Sequence, residues 1–184
     1  MKRFILGVFL ATVAMFVFGA VFWTNPLPYS VLPHARDDAA AGQALLAAFP
    51  VSGTYLIPSP VGDRKAAADL TRKGPVATVH IQREGFEPMS PRGFLDGFLH
   101  EFATVALLAL ILKITLPAVG GYLSRVAFVT LIGVTISFYS NFSMPIWWHH
   151  PFPFYLVLAT YNVVAFFIVA LVLAAFVKPV GRPK

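Results

Sequence analysis

The sequence predicts a membrane-embedded, mainly α-helical protein: four transmembrane helices with a small α/β extramembrane domain inserted between the first and the second. Three observations carry this prediction. Residues 4–23, 94–116, 123–142 and 155–177 are apolar runs long enough to cross a hydrocarbon core of about 30 Å. All eight acidic residues lie between Asp37 and Glu101. The short flanks hold Lys2, Arg3, Lys113, Arg125, Lys178, Arg182 and Lys184 and no acid.

The first run follows Lys2 and Arg3, as a secretory signal would, but it exceeds the usual apolar core of about 7–15 residues. No small-x-small cleavage site follows it, because Phe18 precedes Gly19 and Ala20 and bulky Val21, Phe22 and Trp23 come next. Residues 1–24 are therefore read as an uncleaved anchor. Residues 25–93 form the only stretch polar enough for a domain. Pro26, Pro28 and Pro33 stiffen its exit from the membrane. Residues 37–49 read as a helix whose Asp37 and Asp38 suit the positive end of its dipole. Residues 53–57 read as a strand stopped by Pro58 and Pro60. Residues 63–73 read as a helix capped by Asp63, with Arg72 and Lys73 in its last turn and Gly74-Pro75 as its stop. Residues 76–82 read as a second strand with Ala77, Val79 and Ile81 on one face and Thr78 and His80 on the other.

Residues 94–184 contain the remaining three spans and a cytoplasmic C-terminus. Pro117, Gly120 and Gly121 make the turn after the second span. Residues 144–154, rich in Pro and aromatics, read as a short connection between the third and fourth. Lys and Arg in short flanks mark the cytoplasmic side. The termini and the 113–125 turn are therefore expected in the cytoplasm and residues 25–93 outside, with Trp23, Trp147 and Trp148 at the outer boundary. A bacterial inner membrane, with residues 25–93 periplasmic, fits the short charged N-terminus.

Composition narrows the chemistry. The chain is 58% apolar and 12% charged, with a mean hydropathy of +0.74; a soluble domain carries roughly twice that charged fraction. The net charge of +6 is scattered rather than gathered into a basic patch with interleaved aromatics, which argues against nucleic acid. With no cysteine there is no disulfide, thiolate zinc site, iron–sulfur cluster or covalently attached haem.

Candidate site residues gather at the expected outer ends of the spans. They are His100 and Glu101 in the second, Asn141 at the end of the third beside Tyr139, Ser140 and Ser143, His149 and His150 in the outer turn, and Asn162 in the fourth near Tyr155 and Tyr161. Glu101 reads as the only acid inside a span, and an ionisable residue there is by default a functional hypothesis. Imidazole with carboxylate suits zinc, iron or copper. Yet His100 and Glu101 point about 100° apart on a helix, so they do not easily face one centre. The sequence His100-Glu101-Phe102-Ala103-Thr104 also places Thr where a metalloprotease helix needs its second His. Phosphate-binding and nucleophile-elbow motifs are absent. Small residues recur every four positions at Gly7 and Ala11, and at Gly133, Ser137 and Asn141, a spacing that lets helices approach closely.

The leading functional reading is a non-catalytic accessory, assembly or scaffold subunit that acts through its outer domain and helix faces on a membrane-protein partner or a second copy. The alternatives are a metal-, haem- or small-ligand-binding membrane enzyme built on the His/Glu cluster, and a small oligomeric transporter.

Overall fold

Two antiparallel strands and six α-helices follow one another in a computed structural model, which describes residues 1–179. Four helices are long and apolar enough to cross a membrane: α1 (Lys2–Thr24), α4 (Pro91–Thr115), α5 (Tyr122–Trp148) and α6 (Phe152–Phe176). Between α1 and α4 lie a 3-10 turn (Leu27–Tyr29), α2 (Asp38–Ala48), β1 (Gly53–Ile57), α3 (Arg64–Lys73) and β2 (Ala77–Ile81). The chain divides into two units, Pro33–Pro88 and the long helices with their immediate flanks. Of the C-terminal basic flank, Arg182 and Lys184 lie outside the described residues.

In the helical unit α6 is the hub, packing on both α5 and α1, while α1 packs in turn on α4. Edge-on ring pairs Phe9–Phe98 and Phe16–Phe98, at 6.3 and 5.5 Å, run along the α1–α4 seam. The core draws Val8 and Ala11 from α1, Val105 and Leu112 from α4, Val129 from α5, and Ala165, Val169 and Leu173 from α6. Small residues set the spacing at two crossings. Gly7 lies against Phe176, and a Cβ added at Gly7 would stand 2.5 Å from that side chain's Cβ. Gly133 lies against Phe166 even more tightly. Four residues on, Ser137 is buried and donates its hydroxyl to the Ala159 carbonyl at 3.0 Å. Ala11 is wholly buried.

One end of the helical unit gathers the start of α1, the end of α4, the start of α5 and the end of α6. Lys113 Nζ sits 5.5 Å above the Phe4 ring. Arg3 donates to the Ala175 carbonyl at 3.0 Å, and Tyr122 donates to that of Leu171 at 3.2 Å. Arg125 is 3% exposed and donates to the Ala174 carbonyl through Nε (3.2 Å) and Nη2 (3.0 Å), and to the Gly120 carbonyl through Nη1. The last four carbonyls of a helix have no partner within it; Arg3 and Arg125 supply donors to two of them on α6, and Tyr122 adds a bond a turn earlier.

Three boundaries differ from the sequence reading, one of them the start of α6 at Phe152, which makes residues 152–154 helical rather than part of a connection. Residues 144–148 are helical rather than part of a connection: α5 runs through Pro145 to Trp148 and closes on His149, whose φ of 55° is left-handed. Proline removes one i to i−4 hydrogen bond, here the one to Asn141, but does not oblige a helix to stop. α4 also starts earlier, at Pro91, where Ser90 caps the Gly93 N–H and proline occupies the first turn. Asp96, which falls within the run 94–116 as well, is part of this helix, so Glu101 is not the only acid in it. Asp96 takes a two-pronged hydrogen bond from Arg92 one turn earlier, at 3.0 and 2.8 Å, on an exposed surface.

The unit Pro33–Pro88 is built around the β1–β2 ladder, in which Tyr55 faces Val79 and Thr54 faces His80. Thr54 Oγ1 and His80 Nδ1 are hydrogen-bonded across the strands at 2.9 Å. On the other face Tyr55 packs against Phe49 with ring centroids 4.6 Å apart and planes tilted by 43°. Asp37 caps α2 through the Ala40 N–H, and Asp63 caps α3 through the N–H groups of Lys65 and Ala66. Arg83 ties the sheet to the end of α2 by donating to the Leu46 carbonyl at 2.8 Å and to that of Phe49.

Beside it, the carboxylate of Glu84 is held below the usual range. Its own backbone N–H contributes most, then the Ser52 hydroxyl at 3.0 Å and the charge of Arg83. A depressed folded pKa contributes stability at neutral pH that is lost as pH falls through the folded value. A carbon-13 carboxyl titration is expected to place Glu84 below the ordinary glutamate range, and Glu84→Gln should remove its share of the unit's acid sensitivity. A Glu84 titration at the ordinary glutamate value would refute this.

Candidate functional site

The sequence-predicted candidates differ in burial and in partners. His100 is exposed, as is His149 at the C-terminal end of α5. His150 is half-buried, with Nδ1 2.6 Å from the Tyr155 hydroxyl and the two rings 5.4 Å apart. Asn141 is buried, and its amide donates to the Ser137 carbonyl at 3.0 Å and to the Ser137 and Ser140 hydroxyls at 3.4 and 3.3 Å. It thus serves the turn of helix below it and the α5–α6 contact. Asn162 is half-buried beside Tyr161 on α6. Tyr139 is 80% exposed, and Ser140 and Ser143 bond to carbonyls of their own helix. Among the described residues, no three His, Cys, Asp or Glu side chains come close enough to hold a metal ion.

Glu101 stands apart from these. It is ten residues into α4, about 15 Å from the helix start at 1.5 Å per residue, deeper than the two turns its place in the sequence suggested. Its Oε2 is buried and has no hydrogen-bond partner. Its Oε1 and the Tyr161 hydroxyl both face Gly19 of α1: a Cβ added there would lie 3.8 Å from the first and 2.9 Å from the second. Three helices therefore meet at a glycine that has no side chain to keep the two polar groups apart. Around the Tyr161 ring stand Phe18 (5.5 Å, parallel within 10°), Phe22 (5.0 Å, 43°) and Trp23 (5.2 Å, 57°). The arrangement is a carboxylate oxygen lacking a donor, on a residue that shares Gly19 with the hydroxyl of a tyrosine packed among three other aromatic rings.

Sequence reasoning singled out Glu101 but assigned it the histidines as partners. Position explains the difference. His100 is rotated about 100° from Glu101 on the same helix, and His149 and His150 lie past the end of α5. Gly19 was not singled out at all; the signal available was a glycine one turn before Trp23, within an aromatic run on α1. Arg125 was read only as a topology charge, although an arginine four residues into an apolar helix needs acceptors.

Comparison of the chain with protein-family models, with curated proteins and with solved structures finds no match in any of the three.

Proposed function

We propose that this chain is an integral membrane protein that serves as a non-catalytic accessory or assembly subunit, through the unit Pro33–Pro88. One observation carries the reading: Phe49 is the only buried residue in that unit. Neither α2 nor α3 buries a side chain. Val51, Val61, Leu70, Val76 and Phe86 are all more than half exposed. A two-stranded sheet is marginal on its own, and exposed apolar surface of this extent on a small unit marks an interaction site. A protein partner fits better than lipid because the unit's charges balance, with Arg36, Arg64, Lys65, Arg72, Lys73 and Arg83 against Asp37, Asp38, Asp63, Asp69, Glu84 and Glu87. A surface that binds anionic lipid carries an excess of Lys and Arg.

The same reading places the basic end of the four helices in the cytoplasm and the unit on the opposite face of the membrane, in the periplasm of a bacterium. Arg3, Lys113 and Arg125 supply the positive flank. A cysteine introduced at Ser59 is expected to react with a membrane-impermeant maleimide added to intact spheroplasts. One introduced at Ala118 should react only after the membrane is opened. The reverse pattern would refute the orientation.

The accessory role is tested by purifying the full chain in a mild detergent, beside a version in which residues 36–86 are replaced by a short Gly/Ser linker. The intact chain is expected to co-migrate with a stoichiometric membrane partner, and the shortened chain to lose it. An intact chain that runs alone and monodisperse would overturn the reading.

A further inference from the structure

We propose that Glu101, Tyr161 and the aromatic rings around them form a binding site for a small organic ammonium ion. The argument starts from an imbalance. Glu101 Oε2 is buried without a donor. The nearest basic residue on its own helix, His100, is exposed, and Arg92 is committed to Asp96. From α1 and α6, the elements that meet at Gly19, the Tyr161 hydroxyl shares that position with Glu101 Oε1, and Phe18, Phe22 and Trp23 surround the Tyr161 ring; none of these groups is cationic. A buried carboxylate oxygen without a donor among apolar helices is expensive and persists where it has a role.

The complement must supply positive charge, and the rings say what kind. Phe22, Trp23 and Tyr161 meet at 43°, 57° and 80°, with Phe18 flat on Tyr161, so the cluster holds both ring faces and ring edges. Aromatic faces attract alkylammonium ions, which keep little hydration to lose. A divalent metal would want several oxygen or imidazole ligands, and the described residues offer no such group here. Gly19 is the third part of the design. Any side chain there would push on the Tyr161 hydroxyl, which a Cβ would approach to 2.9 Å.

The test uses the full chain in phosphatidylglycerol nanodiscs, with Trp147→Phe and Trp148→Phe so that Trp23 alone reports. Both replaced residues are exposed at the end of α5. Tetramethylammonium chloride is expected to change Trp23 emission saturably, and sodium chloride of equal ionic strength to leave it unchanged. Glu101→Gln should weaken the response about thirtyfold or more, as loss of one partner of a desolvated charge pair does. Glu101→Asp keeps the charge and should bind between wild type and Glu101→Gln, which separates charge pairing from a general loss of structure. Gly19→Ala should also weaken binding. Equal response to the two salts, or equal affinity of the Asp and Gln variants, would overturn the proposal. The outcome does not depend on whether the chain has a protein partner.

Discussion

Arg125→Met is expected to destabilise the helical unit by about 3 kcal/mol, the range for removing a charged donor from several buried acceptors. Arginine is poorly placed for its own helix. It sits in the first turn of α5, where the helix dipole is positive and repels a cation. What holds it there is the other helix, since α6 ends beside it and presents the negative end of its dipole through the Ala174 carbonyl. The Gly120 carbonyl accepts the remaining Nη1 donor. Methionine fills a similar volume but leaves those carbonyls without donors. Arg125→Lys should recover only part of the loss, because one ammonium cannot reproduce a planar fork that serves both carbonyls. Unfolding of the purified protein in mixed micelles measures both variants, and hydrogen exchange in the last turn of α6 should rise in the Met variant. A Met variant within about 0.5 kcal/mol of wild type would show that these bonds contribute nothing net.

Arg125 also shows where sequence reading stops. Its charge at the end of an apolar run was legible, because a bilayer-length run needs only composition to be seen. Its acceptors were not. The Ala174 carbonyl belongs to a helix 49 residues away in sequence, and nothing in the pattern of either run announces that α6 ends beside the start of α5. Helix ends follow the same division. Asp37, Asp63 and Gly74 mark ends through local chemistry, and α2 and α3 begin and end within a residue or so of where those signals stand. Pro145 misled for the opposite reason: a proline's local preference is to break a helix, and α5 continues through it.

The candidate site divides along the same line. Glu101 was visible as a charge in the wrong solvent. Its surroundings depend on which face of α4 turns toward α1 and α6, and α4 is apolar on nearly every side, so its sequence period does not point. The histidines were grouped with it because they share a predicted depth. Depth is one coordinate out of three, and the structure gives them different neighbours. Tyr161 needed the α1–α6 crossing to be known, which Gly19 determines by having no side chain.

Glycine at such crossings leads to the second large effect. Gly133→Ala is expected to destabilise the α5–α6 pair by about 2–3 kcal/mol, and Gly133→Leu by more, the range for forcing atoms into a packed interface. The added Cβ would overlap the Cβ of Phe166, which is 7% exposed. That atom is fixed to the α6 backbone and cannot rotate away, so the helices themselves must separate. Separation then stretches the 3.0 Å bond from Ser137 to the Ala159 carbonyl one turn along the same face. A double-mutant cycle distinguishes this from general loss of helix propensity, because alanine favours helix over glycine by about 1 kcal/mol. Phe166→Ala removes the ring but keeps the obstructing Cβ, so it should relieve Gly133→Ala only in part. Phe166→Gly removes that atom and should show the larger coupling energy. Gly42 in α2 is the control. Nothing lies within 4 Å of a Cβ placed there, so Gly42→Ala should be neutral or stabilising by up to about 1 kcal/mol. If the two alanine substitutions shifted stability alike, close approach of α5 to α6 would not be what Gly133 provides.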